Sequence, residues 1–535
     1  MTGPVGRPDL EVRPGLRGQQ RQSRGEALTS AISGGSSGGS RAWAWRVFLT
    51  CWLVYTVFWA PYIVREHFPA IALVERGSLN VERYLGWTPD IFRGPRGGAY
   101  INNNPGASLT GAVPLLLLRS ILHRLDEWNQ KLPRRDRGGG DGDLFWRTLE
   151  EGRAFYFLLV GFVTAATVMA PMTAGTAAYL CSRLTEAGVP AAYAAGAALL
   201  CGLGTPVLFR TAYLNHNLLV GDAGFVALLL LWDPHDSPLP PARAALAGLL
   251  SGYAVLCDYS GLVVVAVTAL YVWLRSARQP LAQRLRAMAA YAGGLAPAVA
   301  ALAVYQAWAF GSFYRPSQHY MTPTAPTSRG YRGFDWPSPT LLWANFFDLR
   351  FGLFAYCPAL LLAFAAPFTT HVRYKIPQRE TRILWTYFVL FVLFCAANQY
   401  SWLQPSTGFR YLVPVVPALA LLAMQAAEAL PRAVRWGLAS ASCVQALIIS
   451  AAYRNDIRLA LGTLWRRRFE LPWMIRLHDA GVPVTWAWPV VTYSLLVLAV
   501  ASIWLVPGLR HDAGTPIRAE NPHTSIANSI RGALK

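Results

Sequence analysis

The chain has 535 residues, of which 54% are hydrophobic and only 14% charged; these proportions exclude an ordinary soluble protein and point to a polytopic membrane protein. Its formal charge of +20 does not argue for nucleic acid, because the arginines are scattered between apolar runs and flank them instead of forming a basic face. Positive-inside topology, together with contacts to anionic lipids or phosphates, accounts for the charge.

Residues 1–42 are rich in Arg, Gly and Ser and include the run from Ser33 to Ser40. They lack the apolar stretch of a signal peptide and read as a disordered cytoplasmic tail. Apolar runs then begin near residues 43, 153, 191, 217, 244, 261, 288, 352, 383, 411, 433 and 486. At about 20 residues per crossing, the expected fold is all-α with about twelve transmembrane helices. With the N-terminal tail inside, the clusters Arg275/Arg278/Arg284/Arg286, Arg373/Lys375/Arg379/Arg382 and Arg432/Arg435 fall in short cytoplasmic loops, and both termini are cytoplasmic. The stretch from Ala107 to Leu122 is also apolar, but counting it as a span would turn these clusters outward. It is read as a short helix at the outer interface, interrupted by Pro114, with Arg134, Arg135 and Arg137 following it outside.

The hydrophilic stretches at roughly 65–152, 311–351, 398–410 and 454–485 then share the outer face. The same face collects polar residues that interrupt span ends: Arg210, Asn215, His216, Asn217, Asp222, Asp258 and Tyr259. Such residues are expensive in a membrane and line cavities or pathways. Asp90, in the long first loop, is the most informative of the outer carboxylates. The seven cysteines are isolated, without a CxxC pair or histidines at metal spacing, and read as small core residues. No Walker loop, GxGxxG, HExxH or repeated DxD is present, so neither a metal nor a cofactor is expected.

The loop from Leu73 through Asp90 to Pro105-Gly106, followed by Ala112-Val113-Pro114, resembles the first outer loop of GT-C membrane glycosyltransferases. The likeness is to the branch of protein O-mannosyltransferases and lipid A aminoarabinose transferases. Further resemblance lies in Gly248 to Tyr259, Phe310-Gly311-Ser312, Leu349-Arg350-Phe351-Gly352-Leu353-Phe354 with Pro358, and Gly408-Phe409-Arg410-Tyr411-Leu412 with Pro414 and Pro417. It covers about residues 43–430, which makes this the transmembrane catalytic region. A second transmembrane region follows at 431–506 with an outer loop at 454–485, then a cytoplasmic tail at 507–535.

The resemblance implies transfer of a sugar from a polyprenyl-phosphate-linked donor to an acceptor at the extracytoplasmic face of an inner or plasma membrane. Membrane lipids are the surroundings, the acceptor is open, and nucleic acid is not a partner. Asp90 matches the family's loop Asp, a general base that takes the proton from the attacking acceptor. Glu75 and Glu82 are competing carboxylates nearer the span end. Arg350 and Arg410 match family arginines and open apolar spans where the donor phosphate would sit, a role the planar guanidinium suits. Where the family often has Lys before the loop Pro, this chain has Asn103 and Asn104, which moves one phosphate contact to Arg93 or Arg96 or removes it. Possible substrate contacts are Tyr100, Asn103, Asn104, His216, Asp258, Tyr259 and Tyr411. The outer loops add Tyr314, Tyr320, Tyr331, Trp336, Tyr400 and Trp402, flat surfaces for a sugar or simply an interfacial belt. The segment from Arg454 to Trp486 reads as an amphipathic interfacial stretch or a lid for the acceptor. Two other classes stay open: a secondary transporter, which the span number also fits, and a membrane scaffold that kept the fold but lost activity.

Overall fold

Helices make up 72% of the described residues, as expected where backbone groups must be satisfied without water. The computed structural model describes residues 41–131, 144–324, 328–369, 372–406, 409–452 and 457–505. The expected terminal tails, Arg134, Arg135, Arg137 and Arg454 lie outside the described residues. Ala44–Trp504 form one compact unit, which carries every residue discussed below.

In chain order, the elements that matter for the site begin with α1 (41–57), α2 (His67–Arg76), β1 (Ile91–Arg93) and β2 (Ala99–Ile101). Next come α3 (Gly106–Leu117), α4 (Arg119–Gln130) and α5 (Ala154–Glu186). They are followed by α6 (His216–Leu231), α7 (Pro241–Cys257), α8 (Gly261–Arg275), α9 (Leu281–Phe310) and α10 (Gln378–Ala397). The last are α11 (Val416–Ala427), α12 (Arg432–Ala452), α13 (Ile457–Arg466), α14 (Pro472–Asp479) and α15 (Ala487–Leu505). Among the described residues the β1–β2 hairpin is the one sheet.

Five helices, α5, α9, α10, α12 and α15, are long and apolar enough to cross a membrane, and α3 with α4 makes a sixth if the bent pair is counted as one crossing. Six shorter apolar helices of 10–17 residues stand where the sequence placed runs at 191, 217, 244, 261, 352 and 411. At 1.5 Å per residue they reach about 15–26 Å, less than the roughly 30 Å hydrocarbon core. Pro114 does not interrupt the helix expected there: α3 runs through it to Leu117. The 84° bend comes instead at Leu118, where the apolar sequence of α3 gives way to the amphipathic RSILHRLDEWNQ of α4.

The helices pack through small residues. A Cβ on Gly248 would stand 2.0 Å from the Tyr291 carbonyl oxygen, and one on Gly294 would stand 1.9 Å from that of Ala245. Only glycine therefore lets α7 and α9 approach so closely. At the other extreme, α15 buries Pro489 alone and exposes Val490, Val491, Leu495, Val497 and Leu498, a surface made for acyl chains.

Candidate functional site

The hairpin fixes Asp90. β1 and β2 pair antiparallel with Ile91 opposite Ile101, Phe92 opposite Tyr100 and Arg93 opposite Ala99. The pairing extends one step further, because Asn102 N–H donates to the Asp90 carbonyl at 3.1 Å. The same two side chains meet, Asn102 Nδ2 donating to Asp90 Oδ1 at 2.9 Å. The other carboxylate oxygen, Oδ2, lies 2.8 Å from Arg65 Nη1, and 34% of the Asp90 side chain remains exposed. Its carboxylate is thus turned toward a cation and an amide, with one side open for a proton donor.

The three asparagines that follow β2 tie the loop to three different elements. The Asn102 carbonyl accepts from Ser317 Oγ at 2.8 Å and Gln318 Nε2 at 2.7 Å. Asn103 Nδ2 donates to Glu66 Oε1 at 2.6 Å and lies within 3.2 Å of the His216 ring nitrogens. Asn104 Nδ2 donates to the Val255 carbonyl at 2.8 Å. Next along the chain, a Cβ on Gly106 would come within 2.7 Å of the Leu256 carbonyl, so the start of α3 is pressed against the end of α7. Asn102, Asn103 and Asn104 are thus buried amides that lock the loop.

Glu66 is the centre of the cluster, with a side chain 3% exposed. Its Oε1 faces His216 Nδ1 at 2.7 Å, Asn103 Nδ2 at 2.6 Å and Arg65 Nε at 3.3 Å. A buried charge is tolerable only with such partners. Burial works against its ionisation, but its contacts with the His216 ring and the Arg65 guanidinium outweigh that and hold the carboxyl below its usual range. Burial likewise opposes the charge on Arg65, yet the Asp90 and Glu66 carboxylates hold the guanidinium more firmly protonated than usual. His216 opens α6, whose N-cap Asn215 accepts from Asn217 N–H at 3.0 Å and Leu218 N–H at 3.3 Å. On its far side His216 Nε2 stands 3.9 Å from Asp258 Oδ2.

Arg410 and Tyr411 reach the same place from the other end of the chain. Gln404 Oε1 accepts from both backbone N–H groups at 3.0 Å. Arg410 Nη2 donates to the Tyr411 hydroxyl, and the guanidinium lies 4.4 Å from the ring centroid. Among the described residues no carboxylate pairs with Arg410, and its Nε is buried without a hydrogen-bond partner. Tyr411 is within electrostatic reach of Arg65 and Asp258, and Tyr400 within reach of Arg65, Asp90 and Arg332. Buried Arg210 donates to the Phe409 carbonyl and the Tyr213 hydroxyl and has Arg410 as an electrostatic neighbour.

The structure therefore gathers Asp90, Asn103, His216, Asp258 and Tyr411 around Arg65 and Glu66, which sequence reasoning missed, and Arg410 joins through its contact with Tyr411. Their signal was an Arg-Glu pair directly after the first apolar run. The remaining positions have other surroundings. Asn104 is a loop brace, Tyr100 packs among Tyr305, Trp308 and Phe310, and the Tyr259 hydroxyl is hydrogen-bonded to Gln306. Arg350 makes no contact with Asp90 or Arg410; it grips Asp348 through Nε at 3.0 Å and Nη2 at 2.8 Å with half its side chain exposed. Glu75 accepts from Arg153 and Tyr156, and Glu82 from Arg93, so both rival carboxylates are held in pairs of their own. Arg96 donates to the Ala307 carbonyl. Asp222, deeper in α6, accepts from Thr173 at 2.8 Å.

Among the described residues no three His, Cys, Asp or Glu side chains are grouped as metal ligands would be. Fold and site together are those of a helical membrane protein whose loops and helix ends enclose a charged, partly open cluster. No protein-family model, curated protein or solved structure matches the chain.

Proposed function

We propose that the protein is a GT-C-type membrane glycosyltransferase that moves a sugar from a polyprenyl-phosphate-linked donor to an acceptor at the extracytoplasmic face of an inner or plasma membrane. In this reading the short apolar helices complete about twelve spans with both termini inside. The observation that carries it is that Arg65 pairs with Asp90 and is an electrostatic neighbour of Tyr411, which Arg410 holds. Loop carboxylate and late-chain cation are the two parts the reaction requires, and nothing local in the sequence forces them together.

The chemistry follows from what each group can do. Asp90, partly open, takes the proton from the acceptor as its oxygen or nitrogen attacks the anomeric carbon. Arg410, with an unpartnered Nε and no carboxylate among the described residues, is suited to a phosphate oxygen of the donor, and stacking on Tyr411 fixes its plane. Arg65 holds Asp90, and a donor phosphate that draws Arg65 away leaves that carboxylate to the acceptor. Glu66 and His216 set the position of Arg65 from beneath.

The test is transfer of radiolabelled sugar from a panel of polyprenyl-phosphate sugars, in membranes with matched amounts of wild type and Asp90→Asn. Loss of the base should lower transfer by about 10²–10⁴-fold. Equal transfer by both would remove Asp90 from the reaction. Sugar flux into sealed vesicles without transfer would favour a transporter instead.

A further inference from the structure

Residues 317–324 and 328–332 present a set of rings whose placement is tied to the proposed base through Asn102. Two donors, Ser317 Oγ and Gln318 Nε2, hold the carbonyl of Asn102 at 2.8 and 2.7 Å, and the Asn102 amide holds Asp90. The next residues are His319 and Tyr320. Tyr320 stacks on buried Phe310 with centroids 5.3 Å apart and planes 9° apart, and Phe310 is stacked in turn on Phe92 of β1 at 6.0 Å and 21°. The turn is therefore backed by the same hairpin that carries Asp90. On the open side His319 stacks with Tyr331 at 6.2 Å and 27°, its Nδ1 3.2 Å from the phenol oxygen. Tyr331 is 59% exposed. Arg332 closes the edge, donating to the Met321 carbonyl at 3.4 Å, and Tyr400 lies within electrostatic reach of both Arg332 and Asp90.

We infer that His319 and Tyr331 form the acceptor subsite and that the acceptor is a saccharide, an inference that rests on the glycosyltransferase reading above. An exposed ring face backed by a rigid stack offers the flat apolar surface that the C–H face of a sugar requires. Imidazole, phenol and guanidinium at its edge offer donors and acceptors to hydroxyls spread around that sugar. In the transfer step the acceptor hydroxyl oxygen bonds to the anomeric carbon of the donor as the bond from that carbon to the phosphate oxygen breaks. The hydroxyl proton passes to Asp90, and the electron pair of the broken bond leaves on the phosphate.

The test uses the full chain in lipid nanodiscs, saturation-transfer NMR with a linear trisaccharide of neutral hexoses as probe, and a Ser/Thr decapeptide as counter-probe. Saturation of the trisaccharide ring protons by the wild type is expected. Tyr331→Ala should weaken that binding about two- to tenfold, the worth of one ring contact, and Tyr331→Trp should restore it. Hydrolysis of a polyprenyl-phosphate sugar without acceptor is measured alongside in the wild type and in Asp90→Asn, where it should fall by about 10²–10⁴-fold. Trisaccharide binding that is absent, or equal in wild type and Tyr331→Ala, overturns the subsite, as does saturation of the peptide alone. Binding that behaves as expected with no donor hydrolysis by the wild type supports the shelf as a saccharide site while breaking the transferase reading, so the two failures are distinguishable.

Discussion

The two ends of α6 carry two charged clusters built from the same residue types, and they differ in how completely the charges are used. Beyond its last residue, Leu231, Asp236 receives Arg275 at 2.6 Å, Arg379 at 2.9 Å and Arg278 at 3.1 Å. Arg275 also donates to the carbonyls of Leu231 and Ser237, and Glu380 takes Arg379 and the Tyr271 hydroxyl. The arginines of that end are tied to carboxylates and carbonyls, and the network joins the ends of α6, α8 and α10. At the first residue, His216, Asp90 stays a third exposed, Arg410 has no acid, and buried Asn102 Oδ1, Asn215 Nδ2 and Asn217 Oδ1 lack hydrogen-bond partners. Buried atoms without partners occur at both ends, Glu380 Oε2 and Trp232 Nε1 at the far one; what sets the His216 end apart is the exposed third of Asp90 and an arginine, Arg410, with no acid among the described residues, and these point to it as the place where something binds.

The comparison is broken most sharply by variants that separate activity from stability. Asp90→Asn should remove about 10²–10⁴-fold of transfer while lowering the melting temperature by only a few degrees, since Asp90 is a third exposed and Arg65 keeps its second carboxylate, Glu66. Arg275→Met should do the reverse. Removing one partner of a buried pair costs roughly 3–5 kcal/mol, read as a lowered melting temperature, while transfer per folded molecule stays near wild type. If Arg275→Met abolished transfer in protein that is still folded, the distinction between a structural and a working end would be lost.

Glu66→Gln sharpens the comparison because Glu66 belongs to both kinds of structure. It leaves Arg65 and His216 without their shared carboxylate, so a stability loss of about 3–5 kcal/mol is expected. It also releases Arg65 to pair with Asp90 alone, and the remaining folded enzyme should transfer more slowly. Thermal unfolding and single-turnover transfer on the same preparation measure the two effects separately. A stable, fully active Glu66→Gln would show that Arg65 needs no support from beneath.

Acid should act on the working end through His67. The Val64 N–H donates to His67 Nδ1 at 3.2 Å, so Nε2 carries the proton toward Thr164 Oγ1 at 3.1 Å. A second proton would have to sit on Nδ1, against that N–H. Burial pushes the His67 pKa down to about 4, below its value in an unfolded chain of about 6.5. The folded state thus favours the neutral ring, and the stability it confers is complete above about pH 6.5 and is lost as pH falls from there toward 4. The expected total is on the order of 3 kcal/mol, visible as a fall in melting temperature between pH 7 and 4 that His67→Gln reduces. The lowered carboxyl of Glu66 adds a loss in the same direction, beginning only below the ordinary carboxylate range. An unchanged pH profile in His67→Gln would assign the acid sensitivity elsewhere.

Much of this was legible in the sequence, for local reasons. Each expected apolar run coincides with a helix, because composition within a run decides helix formation in an apolar medium. What composition does not decide is length: the Asp258-Tyr259-Ser260 break between α7 and α8 leaves two helices of 17 and 15 residues, and such breaks make the number of crossings unreadable from hydropathy. Asp90 stood out because a carboxylate in a long loop is visible locally. Arg65 and Glu66 did not, since their importance lies in meeting Asn103, His216 and Asp90 across the fold.

The smallest expected effect concerns Arg350, and it separates two arginines that look alike in sequence. Both Arg350 and Arg410 precede an aromatic residue and open an apolar stretch. Two residues before Arg350 stands Asp348, whose carboxylate receives its backbone N–H at 2.7 Å and its guanidinium at 2.8 and 3.0 Å; two before Arg410 stands Gly408. An acid at that spacing captures the guanidinium locally, and its absence leaves the other free to face the cluster. A half-exposed pair contributes about 0–1 kcal/mol. Arg350→Ala should therefore shift melting by at most a few degrees and change transfer by less than about twofold, a difference of under half a kcal/mol in barrier. Arg410→Ala in the same assay should lower transfer at least about tenfold, because a charge-assisted phosphate contact is worth roughly 1.5–3 kcal/mol. Equal losses in the two variants would place the donor phosphate within reach of both arginines and would mean that Asp348 releases Arg350 when the donor binds.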